Sequence, residues 1–263
     1  MPIYQKSTKE LFEDFIKSFV PPPSKGFGLV ERKPLGKGGH FTRKEILAWF
    51  KDNYPKIKQA TVNAHLTIMS TNGTSRIHHN LRPNGADDLL FQIDRSTFRL
   101  YDEGSDPSPI YKQTEEESTA EDTDNGEEEQ DEGHEFAYEN DLKNFLAKNL
   151  HVIRPSIAVY EDGDIRGVEF PVGGRFIDIL AVENKKDLIV IELKVSKGYD
   201  KALGQLLRYM AWIKKNLAEP SQEVKGMIVA RTVSEDLRLA VSVVNDVELF
   251  EYQISISLNK IDV

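Results

Sequence analysis

Asp178, Glu192 and Lys194 are the residues of this 263-residue chain whose types and spacing best suit chemistry. They interrupt two otherwise apolar runs, Phe176-Ile177-Asp178-Ile179-Leu180-Ala181-Val182 and Leu188-Ile189-Val190-Ile191-Glu192-Leu193-Lys194-Val195. Runs this rich in β-branched residues are expected as strands buried on both faces, joined by a polar turn around Asn184-Lys185-Lys186-Asp187. Side chains alternate along a strand, so Glu192 and Lys194 share a face. A turn with an odd number of residues, such as 184–186, then sets Asp178 across from Glu192. Charges are seldom buried unless paired or bound to a metal. Two carboxylates at one point repel, and a hard divalent cation relieves that repulsion: Mg²⁺, with Mn²⁺ as its substitute. Such an ion holds a phosphate oxygen and lowers the pKa of a water, while Lys194 can neutralise charge on a pentavalent phosphate. The blander reading of the same three residues is a buried carboxylate–lysine ion pair without chemistry.

A helix is expected next, over residues 201–213, with Gln205 and Tyr209 four apart and therefore on one face. Arg175-Phe176-Ile177-Asp178, Ile191-Glu192-Leu193-Lys194 and Gln205-x3-Tyr209 together closely resemble the nuclease domain of NucS-type endonucleases, within the PD-(D/E)xK superfamily. The resemblance covers roughly residues 135–263. It implies a restriction-endonuclease-like α/β fold, a mixed sheet flanked by helices. It also implies that Asp178 and Glu192 bind the metal, that Lys194 is catalytic and that Gln205 and Tyr209 complete the site. In the superfamily a glutamate of the first helix often points at the metal. Glu139 is the matching position, with Asp141 an alternative and a dipole-favouring N-terminal acid the plain reading. Arg175 is expected to grip the phosphate of the scissile strand, or else to form a surface ion pair.

The elements around this site are read from periodicity and turn signals. Residues 139–150 suggest a helix with Leu142, Phe145, Leu146 and Leu150 inward, and residues 157–170 a strand pair turning at Glu161-Asp162-Gly163-Asp164. Later strands are expected at 227–230, 247–252 and 254–256, with a helix over 234–244. In the N-terminal part, residues 1–18 suggest a helix ended by Pro21-Pro22-Pro23. After the glycine-rich stretch 26–39, Thr42 and Glu45 form a capping box for a second helix that Tyr54-Pro55 stops. A third helix begins near Gln59 with Val62, Leu66 and Met69 inward, and the runs 89–93 and 98–101 make a hairpin. Helix, turn, helix, hairpin is the order of a winged helix. Phe41-Thr42-Arg43-Lys44-Glu45-Ile46 and Tyr54-Pro55-Lys56 resemble, less specifically, winged-helix modules attached to restriction-type nucleases. On that reading Lys58, Gln59, Thr61, Asn63 and His65 face the major groove, and Arg43, Lys44, Arg76 and His78 touch phosphates. The alternative is a winged helix that binds protein.

Charge is distributed unevenly. Residues 113–133 hold eleven Asp or Glu and no Lys or Arg. Without them the net charge of −9 becomes 34 − 32 = +2, and residues 1–100 carry 16 basic against 9 acidic residues. The basic front suits DNA. The domains expected are 1–102 (winged helix), 103–134 (an acidic disordered linker) and 135–263 (nuclease). The absence of cysteine excludes disulfides and zinc–thiolate sites. No signal peptide or run of roughly 18 apolar residues is visible, so a cytoplasmic protein without a membrane anchor is expected. No Gly-x4-Gly-Lys-Ser/Thr loop points to a nucleotide cofactor.

The expected activity is Mg²⁺-dependent hydrolysis of double-stranded DNA by a homodimer, since cutting both strands takes two sites. The NucS family carries a different N-terminal domain. A winged helix in that place suggests a site- or modification-reading restriction enzyme, ahead of a mismatch or branched-DNA repair endonuclease. A DNA-binding regulator that keeps a nuclease fold without cleavage is the alternative from another class.

Overall fold

A computed structural model describes residues 4–19, 39–82, 84–111, 129–194 and 200–254. The elements, in chain order, are α1 (Thr8–Phe19), β1 (His40–Thr42), α2 (Arg43–Asn53), α3 (Gln59–Met69), a 3-10 turn (Thr74–His78), β2 (Leu90–Gln92), β3 (Thr97–Leu100) and α4 (Glu129–Asn149). There follow β4 (Ile157–Val159), β5 (Glu161–Asp162), β6 (Ile165–Arg166), β7 (Val168–Val172), β8 (Arg175–Glu183), β9 (Asp187–Lys194), α5 (Asp200–Asn216), β10 (Val224–Ala230), α6 (Glu235–Val241) and β11 (Val247–Glu251). They form two compact units whose chain segments interleave. The first comprises Met1–Glu121, Tyr160–Ile177 and Trp212–Glu219; the second comprises Asp122–Val159, Asp178–Ala211 and Pro220–Val263.

In the first unit β1, β3 and β2 form an antiparallel sheet in that order beneath three helices. α2 starts where its capping box directs: Glu45 N–H donates to Thr42 Oγ1 at 3.2 Å, and Thr42 N–H to Glu45 Oε2 at 2.8 Å. The core gathers Leu11, Phe12, Phe15, Phe41, Ile46, Phe50, Val62, Leu66, Met69, Leu90 and Phe98. α3 packs on α1 and α2 and also on β6 and β7, which encloses it nearly all round.

The second unit is built on a sheet of order β11-β10-β9-β8-β4. β9, β10 and β11 run parallel, while β8 and β4 run antiparallel to their neighbours. β8 and β9 are joined by residues 184–186, the odd-numbered turn expected, with Asn184 and Lys185 at φ 52° and 57°. α4 packs against β9, and α5 lies over β10, where a Cβ on Gly226 would meet Leu206 and Met210. Leu142, Leu146, Ile179, Ile189, Ile191, Leu193, Met227 and Val229 are buried together. A mixed sheet flanked by helices is the fold class expected of the C-terminal part, and a small N-terminal domain is present as expected.

Three expectations are corrected. Phe145 is 54 % exposed, because the buried stripe of α4 follows Leu142, Leu146 and Leu150, and position 145 falls outside it. α4 begins at Glu129, ten residues ahead of the expected start. Residues 103–111, assigned to a disordered linker, are tied down: Arg99 Nη1 donates to Asp106 Oδ2 at 2.6 Å and Ile110 N–H to Thr71 O at 2.9 Å. The remaining linker residues 112–128, the proline run 21–23 and most of the strand expected at 254–256 lie outside the described residues. No helix among the described residues is long and apolar enough to cross a membrane.

Candidate active site

The β8–β9 register sets the site. Its pairs run from Glu183↔Asp187 to Ile179↔Ile191, and the next step places Asp178 opposite Glu192. Asp178 Oδ2 accepts a hydrogen bond from the Leu193 N–H at 2.8 Å, which fixes the carboxylate beside β9. Glu192 is 1 % exposed, and its Oε1 accepts from Lys194 Nζ at 2.7 Å. Its Oε2 is buried without a hydrogen-bond partner. Such an atom costs about 1–3 kcal/mol, more when charged, unless something fills the gap.

Burial pushes the Glu192 carboxyl up to about 8, with Asp178 and Glu139 adding to the shift against the opposing pull of Lys194. Burial alone would lower the Lys194 pKa, but Glu192, Asp178 and Glu139 outweigh it and raise the value. Both shifts say that the pocket is short of positive charge. Glu139 on α4 is within electrostatic range of the pair.

A divalent cation fits this donor set. Asp178 and Glu192 supply two carboxylates, and among the described residues no group of three His, Asp or Glu side chains forms a closed metal cage. Mg²⁺ is commonly held that way, by one or two carboxylates with water and substrate phosphate filling its octahedron. On α5, Gln205 Nε2 donates to Tyr209 Oη at 3.2 Å, so the two side chains four residues apart act as one unit. Tyr209 is 4 % exposed and Gln205 half-buried. Arg175 is exposed at the start of β8, and strand alternation turns it to the face opposite Asp178, three residues on.

The residues expected to read DNA from α3 are placed otherwise. Asn63 is fully buried, accepting from Arg43 Nη1 at 2.7 Å and donating to Gln59 O at 3.0 Å. His65 is 7 % exposed, with Nδ1 2.9 Å from Thr61 O, and burial lowers its pKa. Arg76 is fully buried and pairs with Asp88 at 2.6 Å. Lys58 Nζ lies 2.5 Å from both Leu217 O and Glu219 Oε1. Arg43 is mostly buried and His78 lies 3.6 Å from Glu169, whereas Lys44 and Gln59 are exposed and Thr61 is half-buried. The reason is the second cover that β6 and β7 place on α3. The signal was present in the sequence: Gln59–Met69 contains no charged residue, the mark of a helix buried all round. The Leu193 N–H, which orients Asp178, is a functional group that side-chain reading does not reveal.

Residues 138–251 match the model of the Endonuclease NucS C-terminal domain family. They carry a NucS-like nuclease domain, and the candidate site lies on its β8–β9 strand pair. Residues 30–100 match a domain of unknown function, DUF7669. A crystal structure of a repair endonuclease from Pyrococcus abyssi is 22 % identical, with 51 % of this chain and 50 % of that chain aligned and a TM-score of 0.36. A structure of an EndoMS–dsDNA2 complex is 18 % identical over 47 % and 46 % of the two chains, with a TM-score of 0.35. The chain thus spans about half the length of these solved structures. Among curated proteins no match was found.

Proposed function

We propose that the chain is a metal-dependent endodeoxyribonuclease that hydrolyses phosphodiester bonds of double-stranded DNA at Asp178, Glu192 and Lys194. The observation that carries this reading is the buried Glu192 carboxylate opposite Asp178, with one oxygen bonded to Lys194 and the other without a partner. Asp178 and Glu192 would hold Mg²⁺, or Mn²⁺ in its place. The bound ion supplies Lewis acidity and a water of lowered pKa. Lys194 holds its proton against burial and offsets the negative charge that gathers on phosphorus as water adds and the P–O ester bond breaks. The departing oxygen takes up a proton. The Leu193 N–H keeps Asp178 in place, and the bonded Gln205–Tyr209 pair on α5 would complete the site as the resemblance implies.

Of the substrate readings, mismatched or branched DNA is favoured over a restriction site. Asn63 and His65, which were to read base edges, lie inside the first unit, and the NucS-like match of residues 138–251 points the same way. The order α1-β1-α2-α3-β2-β3 with sheet order β1-β3-β2 supports a winged-helix reading of residues 1–102, used for docking on DNA rather than for reading sequence. Cutting two strands calls for a homodimer on cytoplasmic DNA. A regulator without cleavage has no need of an unpartnered buried carboxylate.

The test is cleavage of perfect, mismatched and forked duplexes with Mg²⁺ or Mn²⁺, by the wild type beside Asp178→Asn and Lys194→Ala. Cleavage lost in both variants and faster on the mismatched or forked DNA is expected. Binding without cleavage of any substrate would install the regulator instead.

A further inference from the structure

The first unit contains a cavity of about 240 Å³ whose lining includes Arg43, Thr74, Gln92, Arg95, Phe98 and Phe176 and, among the described residues, no carboxylate. Its two cations come from different elements. Arg43 opens α2 and lies over the Phe98 ring, 5.2 Å from its centroid. Among the described residues its guanidinium donates to two neutral acceptors, Asn63 Oδ1 at 2.7 Å and Arg95 O at 3.3 Å. Arg95, exposed in the β2–β3 turn, donates from Nε to Gly174 O. Among the described residues neither arginine has a carboxylate within ion-pair distance.

The neighbouring acids are occupied elsewhere. Asp94 Oδ1 accepts from the Ser96 and Thr97 N–H groups at 2.7 and 2.9 Å. Glu169 accepts from Ser75 Oγ at 2.5 Å and lies 3.6 Å from His78 Nε2. Both arginines thus line one cavity without a carboxylate partner among the described residues, and Arg43 has its pKa lowered by burial first and by Arg95 second. Like charges drawn together in a partly desolvated cavity are unfavourable, and an anion offsets that cost.

We propose that this cavity is a phosphate site that seats one phosphate group between Arg43 and Arg95. Guanidinium forks match phosphate oxygens in geometry and charge. Pockets that bury drug-sized ligands measure roughly 300–1,000 Å³, so this smaller one suits a single phosphate with the sugar or base it carries rather than a large cofactor. Phe176, 42 % exposed, offers an aromatic face to that base. Two sources share the chemistry: a DNA backbone, or a free or terminal nucleotide phosphate. The inference stands apart from the cleavage reading.

The test is titration calorimetry of the full chain at low salt in EDTA. The probes are inorganic phosphate, a deoxynucleoside 5′-monophosphate and a covalently closed DNA duplex without terminal phosphates. Saturable binding of at least one probe is expected, weakened tenfold or more in Arg95→Glu and Arg43→Gln. Lys51→Glu, the same charge change as Arg95→Glu at an exposed position outside the lining, controls for net charge and is expected to weaken binding less than threefold. Binding of phosphate or nucleotide assigns the free or terminal source; arginine-dependent binding of the closed duplex alone assigns the backbone. Arg95 is exposed, so its replacement keeps the test readable even where Arg43→Gln fails to fold. Absence of saturable binding, a change under tenfold in Arg95→Glu, or an equal loss in Lys51→Glu overturns the site. Phosphate binding by a chain that cleaves no DNA when Mg²⁺ is supplied would count against the nuclease reading alone.

Discussion

One register step beyond Ile179↔Ile191, Asp178 stands opposite Glu192, and Glu192 Oε2 is left buried without a partner. A site that short of positive charge should respond to a divalent cation with added stability. Ligand at a hundred times its Kd contributes about 2.7 kcal/mol. Mg²⁺ is expected to raise the wild-type Tm by several degrees and to leave Glu192→Gln unmoved. In EDTA at pH 7 that variant should melt no lower than the wild type, since its neutral amide replaces a carboxyl that burial already keeps largely protonated at that pH. Equal Mg²⁺ shifts in the two proteins, read by thermal denaturation, would dismiss Glu192 as a ligand.

Lys194 has a narrower task. Its Nζ is held 2.7 Å from Glu192 Oε1, where it neutralises charge without occupying the cation's place. Removing one preorganised charge-stabilising donor slows chemistry by roughly 10²–10³-fold. Lys194→Ala should lose activity on that scale in single-turnover cleavage while DNA affinity changes little. Gln205→Ala, which breaks the 3.2 Å bond to Tyr209, should lose less. A Lys194→Ala defect confined to affinity would remove the residue from the chemistry.

On α3 the expected outcome separates stability from recognition. Asn63 is fully buried and bonded at both ends of its amide, so Asn63→Ala should destabilise the chain by about 1–3 kcal/mol. Lys44→Ala and Gln59→Ala, at exposed positions, should leave the Tm unchanged. Denaturant unfolding of the three variants checks this. An Asn63→Ala protein of wild-type stability with altered sequence preference would restore α3 to the major groove.

The strand pair was legible because its information is local. The three-residue turn and the alternation of apolar residues settle the register that brings Asp178 to Glu192, and helical spacing does the same for Gln205 and Tyr209. The enclosure of α3 was not, because its cover, β6 and β7, lies some hundred positions further along the chain. Composition misled at 103–111 for a related reason. An acidic stretch reads as a solvated tether until its partners are known, here Arg99 for Asp106 and Asp88 for Tyr111. Glu139 showed only its residue type and helix; its electrostatic reach to Glu192 depends on α4 packing against β9.

His79 should make the first unit acid-sensitive. It is 5 % exposed, its Nδ1 accepts from the Arg166 N–H at 3.1 Å, and burial, with His78, His65 and Arg166 adding, drives its pKa down to about 3. The unfolded chain, with a value near 6.5, binds the proton first, so His79 contributes stability in full above about pH 6.5 and loses it as pH falls toward 3. Glu192 acts in the opposite sense, its raised pKa adding stability as pH falls from 8. The informative quantity is therefore the Tm of His79→Gln minus that of wild type, which should rise between pH 7 and pH 5. A difference constant with pH would assign the acid response elsewhere.

Gly226 couples the fold to the site. It lies in β10 beneath α5, and a Cβ there would come within 2.6 Å of Met210 Sδ and 2.8 Å of Leu206 Cδ2. Leu206 is fully buried, so Gly226→Ala must displace side chains in a packed layer, at about 1–3 kcal/mol. Leu206 is also next in sequence to Gln205 and three residues before Tyr209, so a shift of α5 moves both. The variant should therefore lose cleavage at temperatures well below its Tm. Leu206→Val, which shortens the obstructing side chain, should restore part of both losses when combined with it. A double-mutant cycle reads this as a coupling of 0.5–3 kcal/mol, within the range roughly expected of residues in contact. Additive losses in the pair would mean that β10 and α5 do not press on each other at this glycine.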